Sequence, residues 1–325
     1  MTGLGLYQSR SHDPYYNLAV EQYLLENLAD DKVILYLWQN QNTVVIGKNQ
    51  NPWKECRTTL LEQEGGHLAR RLSGGGAVFH DLGNLNFTFL MPQGRYDLTK
   101  QLTVIVEALR PFGISAEISG RNDLTASGRK FSGNAFYKNG KQAYHHGTLL
   151  VDVDRDKLSR YLSPSKAKLQ AKGVDSVRSR VVNLKELCPD ITVPALEEAL
   201  AAAFRQVYGL SLETIGEDAL DIAAIDALAA RNRSWEWNYG QKMPFTLSCE
   251  GRFPWGGIQI DLQVEAGQVR QAKVYSDAMD CFLPPRLEQA LTGCRFTKDA
   301  LTAAVRSAGE DTAPDICSLL SRQEL

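Results

Sequence analysis

The sequence contains no apolar run that approaches the roughly 18 residues a membrane-spanning helix needs. The apolar stretch at residues 34–38 has the length of a buried strand instead. An excess of one charge is also missing, because 36 Lys and Arg residues face 38 Asp and Glu residues for a net charge of −2. This balance argues against a strongly basic nucleic-acid binder. The N-terminus lacks a basic segment followed by an apolar stretch, so we expect no secretory signal and a cytoplasmic protein.

Cysteine is scarce, and its six positions form no C-x-x-C pair. Neither a zinc site nor a disulfide framework is therefore supported, and we expect thiols in a reducing compartment. No cysteine lies between residues 57 and 187. The six are Cys56, Cys188, Cys249, Cys281, Cys294 and Cys317.

The 325 residues, 43% of them apolar and 23% charged, have the composition of a folded protein of roughly two domains. Helical periodicity breaks at residues 237–244. We therefore expect a domain over residues 1–242 and a small α+β domain over residues 243–325. Strand and helix patterns do not alternate regularly, which disfavours a doubly wound parallel sheet and predicts an α+β protein with mixed or antiparallel sheets.

Local signals predict the main elements of the first domain. Asp13-Pro14 is typical of a helix start, and Gly209 is expected to end a helix that Pro194 opens. Asn139-Gly140 separates two strand-like runs and predicts a hairpin with a type I′ turn. Further predicted strands are residues 32–38, 43–48, 67–72, 77–80 and 85–91, followed by a helix at 99–112.

The segment RRLSGGGAVFHD at residues 70–81 joins two predicted strands through three glycines. Without side chains, the glycine N–H groups can approach an anion or a carbonyl closely, and an adjacent arginine can bind a phosphate or carboxylate. The alternative is a tight strand connection with solvated arginines. The spacing is neither that of a Walker motif nor G-x-G-x-x-G.

A second segment runs through Asp123, a residue type that holds Mg²⁺ beside nucleotide phosphates, to Lys130 at the start of the hairpin. A two-residue turn would place Ser132 opposite Gly147. One sheet face would then carry Lys130, Ser132, Asn134, His145 and Gly147. The alternative for Lys130 is a solvated edge lysine.

The adjacent His145 and His146 point to opposite faces of a strand, so at most one of them lines a pocket, and a structural role is the alternative for both. The basic residues 166–180 are either a solvated loop or a lid that orders over a phosphate.

Taken in order, these motifs resemble the lipoate–protein ligase family. The resemblance is carried by RRxSGGGAVFHD at 70–81, GRND at 120–123, RKxSG at 129–133, HHGTLL at 145–150, and KG and SVRSR within 172–180. It extends from Asp13-Pro14 through residues 235–237 into the C-terminal part. It implies a catalytic domain related to biotin–protein ligases and class II aminoacyl-tRNA synthetases, followed by a small accessory domain.

The resemblance implies an enzyme that uses Mg-ATP to activate lipoate as lipoyl-AMP and then transfers the lipoyl group to a lysine of an acceptor. The implied acceptors are the lipoyl domains of 2-oxo acid dehydrogenase acyltransferase subunits and the glycine-cleavage H protein. An apolar acyl pocket gains about 0.8 kcal/mol per buried CH₂ and rejects octanoate poorly, so octanoate is expected to react as well.

Site roles are also implied by the resemblance, with Lys130 as the catalytic residue. The ATP or adenylate contacts would be Arg71, Gly76, Ala77, Val78, Phe79, Asp123, Lys130, Ser176 and Arg178. The lipoate contacts would be Arg71, Gly75, Lys130 and His146, and Asp123 would touch the metal. Residues from about 163 to 180 would form an adenylate-binding loop.

Three other functions compete with this interpretation. An octanoyl transferase of the same fold needs a cysteine nucleophile beside its lysine, and none lies between residues 57 and 187. A non-catalytic lipoyl-binding module is disfavoured because Lys130 and Arg71 are both present. A biotin ligase fits the glycine segment less well.

Overall fold

The structure, a computed structural model, describes residues 3–119, 123–163, 181–240, 245–309 and 311–322, with the backbone alone at residues 119 and 123. The strands are β1 (Gly3–Gln8), β2 (Lys32–Trp38), β3 (Thr43–Ile46), β4 (His67–Arg70), β5 (Val78–His80), β6 (Asn84–Pro92), β7 (Ala116–Ser119), β8 (Asp123–Ala126), β9 (Arg129–Lys138), β10 (Gln142–Leu150), β11 (Leu212–Thr214), β12 (Leu247–Phe253), β13 (Gly256–Glu265) and β14 (Gln268–Ser276). The helices are α1 (Pro14–Glu26), α2 (Pro52–Glu55), α3 (Thr58–Gln63), α4 (Leu98–Leu109), α5 (Arg155–Tyr161), α6 (Val193–Tyr208), α7 (Ile222–Arg233), α8 (Trp235–Tyr239), α9 (Leu283–Leu291), α10 (Lys298–Ala308) and α11 (Ala313–Ser321).

An eight-stranded sheet forms the centre of the first part of the chain, in the order β11-β1-β2-β6-β10-β9-β8-β7. Strand β1 pairs in parallel with β2 and β11, and the remaining neighbours are antiparallel. The protein is therefore α+β with a mixed sheet, and the predicted fold class is confirmed.

Strand β2 shows how this sheet separates two cores, because its side chains alternate between them. Leu35 and Leu37 face a core that includes α4 and α6, whereas Tyr36 and Trp38 face a core that includes α1 and α7. A strand buried on both faces needs a continuous apolar run, which explains the composition of residues 33–38.

Helix α1 begins as its sequence predicts. The side chain of Asp13 accepts hydrogen bonds from the N–H groups of Tyr15 and Tyr16, and Pro14 occupies the first turn, where its missing N–H costs nothing. A start fixed in this way sets the helix against the sheet, and one of its buried residues is the charged Glu21.

A small sheet in the order β4-β3-β5 lies beside the main one and carries the glycine segment. Strand β3 pairs in parallel with β4 and antiparallel with β5. The chain leaves β4 at Arg70 and enters β5 at Val78, so residues 71–77 form the connection between two edge strands.

The β9–β10 hairpin differs from the predicted register by two residues, since Asn134 rather than Ser132 lies opposite Gly147. The reason is the turn: Asn139 N donates to Gln142 O over 3.1 Å, which leaves Gly140 and Lys141 as the loop. Gly140 has φ of 94°, as the first loop residue of a type II′ turn requires. A shift of two residues keeps every side chain on its predicted face.

Strand β9 also contains a bulge that the sequence does not reveal. Lys130 pairs with Thr125 of β8 and Ser132 pairs with Leu124, so Phe131 is an extra residue between two consecutive pairs. An extra residue reverses the alternation, and the side chains before Phe131 exchange faces relative to those after it.

The C-terminal part has its own core. Strands β12, β13 and β14 form an antiparallel meander, and Ala266 (φ 50°) and Gly267 (φ 73°) form the predicted turn between β13 and β14. The core lies between this meander and α9, α10 and α11, and includes Ile260, Val274, Leu287, Leu301 and Ile316. Residues 241–244 lie outside the described residues, so the boundary between residues 242 and 243 stays a prediction. No helix in the described part of the chain is both long and apolar enough to span a membrane.

Candidate active site

Two of the three glycines of the glycine turn, residues 74–76, lie where a side chain would not fit. A Cβ on Gly74 would lie 2.2 Å from the carbonyl oxygen of Ala278, and Gly75 has φ of 87°, in the left-handed region. A Cβ on Gly76 would meet nothing within 4 Å. The first two glycines are therefore required by the fold, while Gly76 borders open space.

The guanidinium of Arg71 holds this turn from inside. Its Nη2 donates to the carbonyls of Gly74 (2.7 Å) and Gly76 (2.8 Å), and its Nη1 donates to Val45 O over 3.2 Å. Burial lowers the pKa of Arg71 to about 10, which leaves it a cation at neutral pH. Arg71 thus fixes the shape of the turn, and its predicted contact with nucleotide and lipoate stays a prediction.

The neighbouring Arg70 points elsewhere and has a structural role. Its guanidinium donates to backbone carbonyls of the 47–50 segment, among them Lys48 O and Gln50 O at 2.8 Å each, and to Trp237 O at 2.9 Å. Burial lowers the pKa of Arg70 to about 10 as well. The two adjacent arginines of the motif therefore act on different segments.

Lys130 lies on the face of the sheet that carries the glycine turn. A Cβ on Gly133 would be 3.0 Å from Lys130 Nζ, and a Cβ on Gly75 would be 3.7 Å from that of Ala135. Gly133 and Ala135 are two residues apart on β9, about 6.5 Å, and so share a face. The expectation that Lys130 shares a face with Ser132 and Asn134 is wrong, because the bulge at Phe131 turns Lys130 to the other side.

His146 lies on the same face as the glycine turn. Its Nε2 is 2.8 Å from Ser73 Oγ and its Nδ1 is 2.8 Å from Glu21 Oε1. His145 points to the opposite face, where its Nδ1 is 2.9 Å from Gln101 Oε1 and its Nε2 is 2.8 Å from Asn134 Oδ1. At most one of the pair was expected beside the site, and His146 is that one.

A segment of the C-terminal part covers the glycine turn. Gly75 N donates to the carbonyl of Ala278 over 3.2 Å, and Met279 Sδ would be 3.4 Å from a Cβ on Gly75. Asn49 Nδ2 also donates to Cys281 O over 2.7 Å. An N–H group of the turn is therefore satisfied by a peptide carbonyl, the kind of oxygen acceptor that such a turn attracts.

The other residues predicted to contact ATP or adenylate are distributed as follows. Ala77 and Val78 are half-buried and continue the turn into β5, whereas the ring of Phe79 is buried and contacts Tyr161 with ring centres 5.5 Å apart. The side chain of Asp123 lies outside the described residues, and so do Ser176 and Arg178, together with the predicted adenylate-binding loop from residue 164 to 180.

Glu21 and Thr148 have roles at this face that the sequence analysis missed. Thr148 Oγ1 accepts from Gly133 N over 3.2 Å, beside Lys130, and Glu21 contacts His146. The signal for Glu21 was its position as a charged residue directly after Leu18-Ala19-Val20 in an apolar helix. Among the residues that the structure describes, no group of three or more His, Cys, Asp or Glu side chains is placed to hold a metal ion.

The arrangement brings a lysine ammonium, a buried arginine and glycine N–H groups to one face of a sheet. Such groups stabilise negative charge on a phosphate or on an acyl carbonyl oxygen. Group transfer to or from an acyl phosphate or thioester is therefore within the reach of this geometry.

Comparison with known proteins defines the class. Residues 13–205, more than half of the chain, match the family described as "Lipoyl protein ligase A/B catalytic domain". The chain therefore belongs to this family, and it is an enzyme of lipoate attachment, a lipoate ligase or transferase. Residues 242–316 match a second family, "Bacterial lipoate protein ligase C-terminus". The resemblance found in the sequence is confirmed.

Solved structures give the same result in three dimensions. LipL1 of P. falciparum in complex with lipoate is 27% identical, and the match covers 99% of this chain and 100% of that chain with a TM-score of 0.87. A bipartite lipoate protein ligase from Thermoplasma acidophilum, described with its E2 lipoyl domain, is 27% identical over 76% of this chain and 100% of that chain, with a TM-score of 0.63. Lipoate–protein ligase A bound with ATP is 27% identical over 74% of this chain and 99% of that chain, with a TM-score of 0.62.

Proposed function

We propose that this protein is an ATP-dependent lipoate–protein ligase that activates lipoate, and also octanoate, as an acyl-AMP and transfers the acyl group to a lysine of an acceptor domain. The observation that carries the proposal is the position of Lys130 on the face of the glycine turn. The ATP bound to lipoate–protein ligase A and the lipoate bound to LipL1 support it.

In the first step, a carboxylate oxygen of lipoate attacks the α-phosphorus of ATP and pyrophosphate leaves. Negative charge gathers on the α-phosphate oxygens, where the Lys130 ammonium and the N–H group of Gly76 can stabilise it. Arg71 contributes by holding the turn through the carbonyls of Gly74 and Gly76.

In the second step, the neutral ε-amine of the acceptor lysine attacks the lipoyl carbonyl, AMP leaves, and the amine loses a proton to give the amide. The carbonyl oxygen gains negative charge during attack, and Lys130 is the cation proposed to stabilise it. One fixed ammonium thus serves both steps, since the same carbonyl group stays in place.

Mg²⁺ is proposed to enter with the nucleotide, because phosphate oxygens and carboxylates are the ligands it prefers. Asp123 is the proposed protein contact. Its backbone pairs with Gly133 of β9, and a Cβ added to Gly133 would lie 3.0 Å from Lys130 Nζ.

A transferase that carries the acyl group on a cysteine is the competing function, and the burial of Cys281 and Cys56 disfavours these two thiols as its nucleophile. Cys281 lies beside the turn, but burial raises the pKa of its thiol. Burial also raises the pKa of Cys56 to about 12. A thiol with a raised pKa is a poor nucleophile at neutral pH.

The proposed acceptors are the lipoyl domains of 2-oxo acid dehydrogenase acyltransferase subunits and the glycine-cleavage H protein. The lipoyl domain described with the T. acidophilum ligase supports the first of these. We also propose a cytoplasmic location, which agrees with six unpaired cysteine thiols.

Lipoate-dependent exchange of labelled pyrophosphate into ATP tests the proposal directly. The ligase requires exchange that depends on lipoate and Mg²⁺, followed by lipoylation of an added lipoyl domain. In a parallel reaction, an octanoyl thioester replaces lipoate and ATP. Acyl transfer from the thioester without ATP, together with an absence of exchange, would show a transferase instead.

A further inference from the structure

A carboxylate is buried at the centre of the protein on the face of the glycine turn. Glu21 is only 2% exposed, and its Oε1 accepts a hydrogen bond from Thr88 Oγ1 over 2.7 Å. Trp38 Nε1 in turn donates to Thr88 Oγ1 over 3.1 Å. These donors hold the carboxylate in one orientation, and burying a charge in this way is costly unless the charge is compensated.

His146 connects this carboxylate to the glycine segment. Its ring bridges the two groups, with Nδ1 2.8 Å from Oε1 of Glu21 and Nε2 2.8 Å from Oγ of Ser73. The hydroxyl oxygen of Ser73 has lone pairs that can accept from a further donor. The contact with the ring thus holds the Ser73 side chain in place.

Arg71 uses that oxygen. Its Nε donates to Ser73 Oγ over 3.0 Å, while its Nη2 reaches the carbonyls of Gly74 and Gly76 at 2.7 and 2.8 Å. The negative charge of Glu21 raises the pKa of Arg71, against the larger effect of burial, which lowers it. A continuous series of hydrogen bonds therefore joins a buried anion to a buried cation that grips the turn.

We infer that Glu21 and His146 are positioning residues that act through Ser73 and Arg71 to hold the glycine turn ready for the nucleotide. The inference deepens the proposed ligase function and rests on it for the identity of the ligand. Ser73 Oγ is the atom that joins His146 to Arg71, and it also lies 3.4 Å from the carbonyl oxygen of Gly74. A break at Glu21 or at Ser73 therefore weakens the same support of the turn.

Two variants and their combination test this in the exchange assay. Glu21→Gln keeps the shape of the side chain and removes its charge, and Ser73→Ala removes the hydroxyl that joins His146 to Arg71. We expect each to raise KM for ATP about tenfold with kcat within about twofold, and the double variant to be no worse than either single one. General structural damage would instead lower the fraction of active protein and therefore kcat, and the losses of the two single variants would multiply in the double variant. A lowered kcat with multiplied losses would overturn the inference.

Asp261→Asn is the matched control. Asp261 is a buried carboxylate of the C-terminal part that accepts from Ser248 Oγ over 2.6 Å, so this change also neutralises a buried acid, but away from the turn. We expect an unchanged KM for ATP.

Amide hydrogen exchange of the protein alone separates this inference from the proposed function. Peptides that span residues 71–79 should exchange about tenfold faster in Glu21→Gln and Ser73→Ala than in wild type, and not in Asp261→Asn. If wild type catalyses no pyrophosphate exchange, the ligase proposal fails. Faster amide hydrogen exchange of residues 71–79 in the two variants then still supports the positioning role. Unchanged protection of residues 71–79 in both variants overturns that role whatever the activity.

Discussion

His145 and His146 are neighbours on β10, both buried and both hydrogen-bonded at each ring nitrogen, yet the two sides of the sheet on which they lie differ in kind. On the His145 side the partners are the amides of Gln101 and Asn134, which carry no charge. On the His146 side the contacts run from the anion of Glu21 to the cation of Arg71 and the glycine turn. Lys130 is on this second side as well.

The difference separates a polar network that completes a core from one that ends beside the proposed site. Burial lowers the pKa of His145 to about 3, so this ring is neutral and its network is satisfied within the protein. The His146 network ends instead at Gly76, which borders open space. The two sides should therefore respond differently to mutation: changes beside His145 should alter stability, and changes beside His146 should alter kinetics.

The largest expected effect comes from removing the cation on the His146 side. Lys130→Ala should lower kcat/KM for lipoate-dependent pyrophosphate exchange by about 10³-fold, because a fixed cation at the α-phosphate is lost. Lys138→Ala is the control from the same strand, since its exposed ammonium lies 3.9 Å from the centre of the Tyr96 ring. Exchange by Lys130→Ala at the rate of Lys138→Ala would contradict the role of Lys130.

Acidification should destabilise the protein through two buried histidines, His145 and His80. Burial lowers the pKa of His145 and of His80 to about 3, against about 6.5 in an unfolded chain. Below pH 6.5 the unfolded state binds more protons, so the free energy of unfolding should fall by about 2 kcal/mol per histidine between pH 7 and pH 5. Urea unfolding at the two pH values measures this, and His145→Gln should remove about half of the histidine contribution. An unaltered pH dependence in that variant would show that His145 is not the source.

Gln101→Leu should lower stability without changing the kinetics. The substitution leaves Nδ1 of His145 without its partner in a buried site, which costs about 1.5 kcal/mol. Chemical unfolding measures the loss, and KM for ATP and for lipoate should stay at the wild-type values. A raised KM would mean that the His145 side also positions the substrates.

The smallest expected effect distinguishes two adjacent glycines of the turn. Gly75→Ala should cost about 1 kcal/mol, since residue 75 has φ of 87°. Gly76→Ala should stay within about 0.5 kcal/mol of wild type, because its Cβ meets nothing within 4 Å, and yet it should weaken exchange by filling the space at the turn. Thermal unfolding and the exchange assay measure the two quantities. A Gly76→Ala variant with wild-type kinetics would remove Gly76 from the site.

Where one local rule decides the outcome, the sequence was sufficient. The start of α1 follows from Asp13 and Pro14, the two-sided burial of β2 follows from its apolar run, and the turn at Ala266-Gly267 follows from its two residues. The three consecutive glycines predicted either a close approach of the backbone to a ligand or a tight strand connection, and the sequence left that choice open. Each of these signals is contained within a few neighbouring residues.

Pairing between strands was less predictable, because it depends on competing registers of similar energy. The type I′ turn expected at Asn139-Gly140 moved by one residue to Gly140-Lys141, which shifted the pairing by two and left the faces intact. The bulge at Phe131 adds a single residue to β9, so it moved Lys130 to the face opposite to the predicted one. The short strands β7 and β8 carry mixed polar sequences and were missed for that reason.

Long-range polar contacts were the least accessible. Glu21 and His146 are separated by 125 residues, and no motif in the sequence around either residue predicts their contact. Only the packing of α1 against the sheet brings them together. The sequence showed a charged residue in an apolar helix, and a buried charge without a visible partner is the one available hint.

The contacts of Arg70 set a lower limit on how far this enzyme can be shortened. Its guanidinium joins the 47–50 segment to Trp237, nearly 190 residues further along the chain. Trp237 Nε1 returns the contact by donating to Arg70 O over 2.9 Å. A truncated form that stops before Trp237 would remove the carbonyl partners at residues 237 and 238 from this buried cation, which directly precedes Arg71. The minimal catalytic fragment therefore has to reach past α8, even though that helix contributes no side chain to the chemistry proposed for the site.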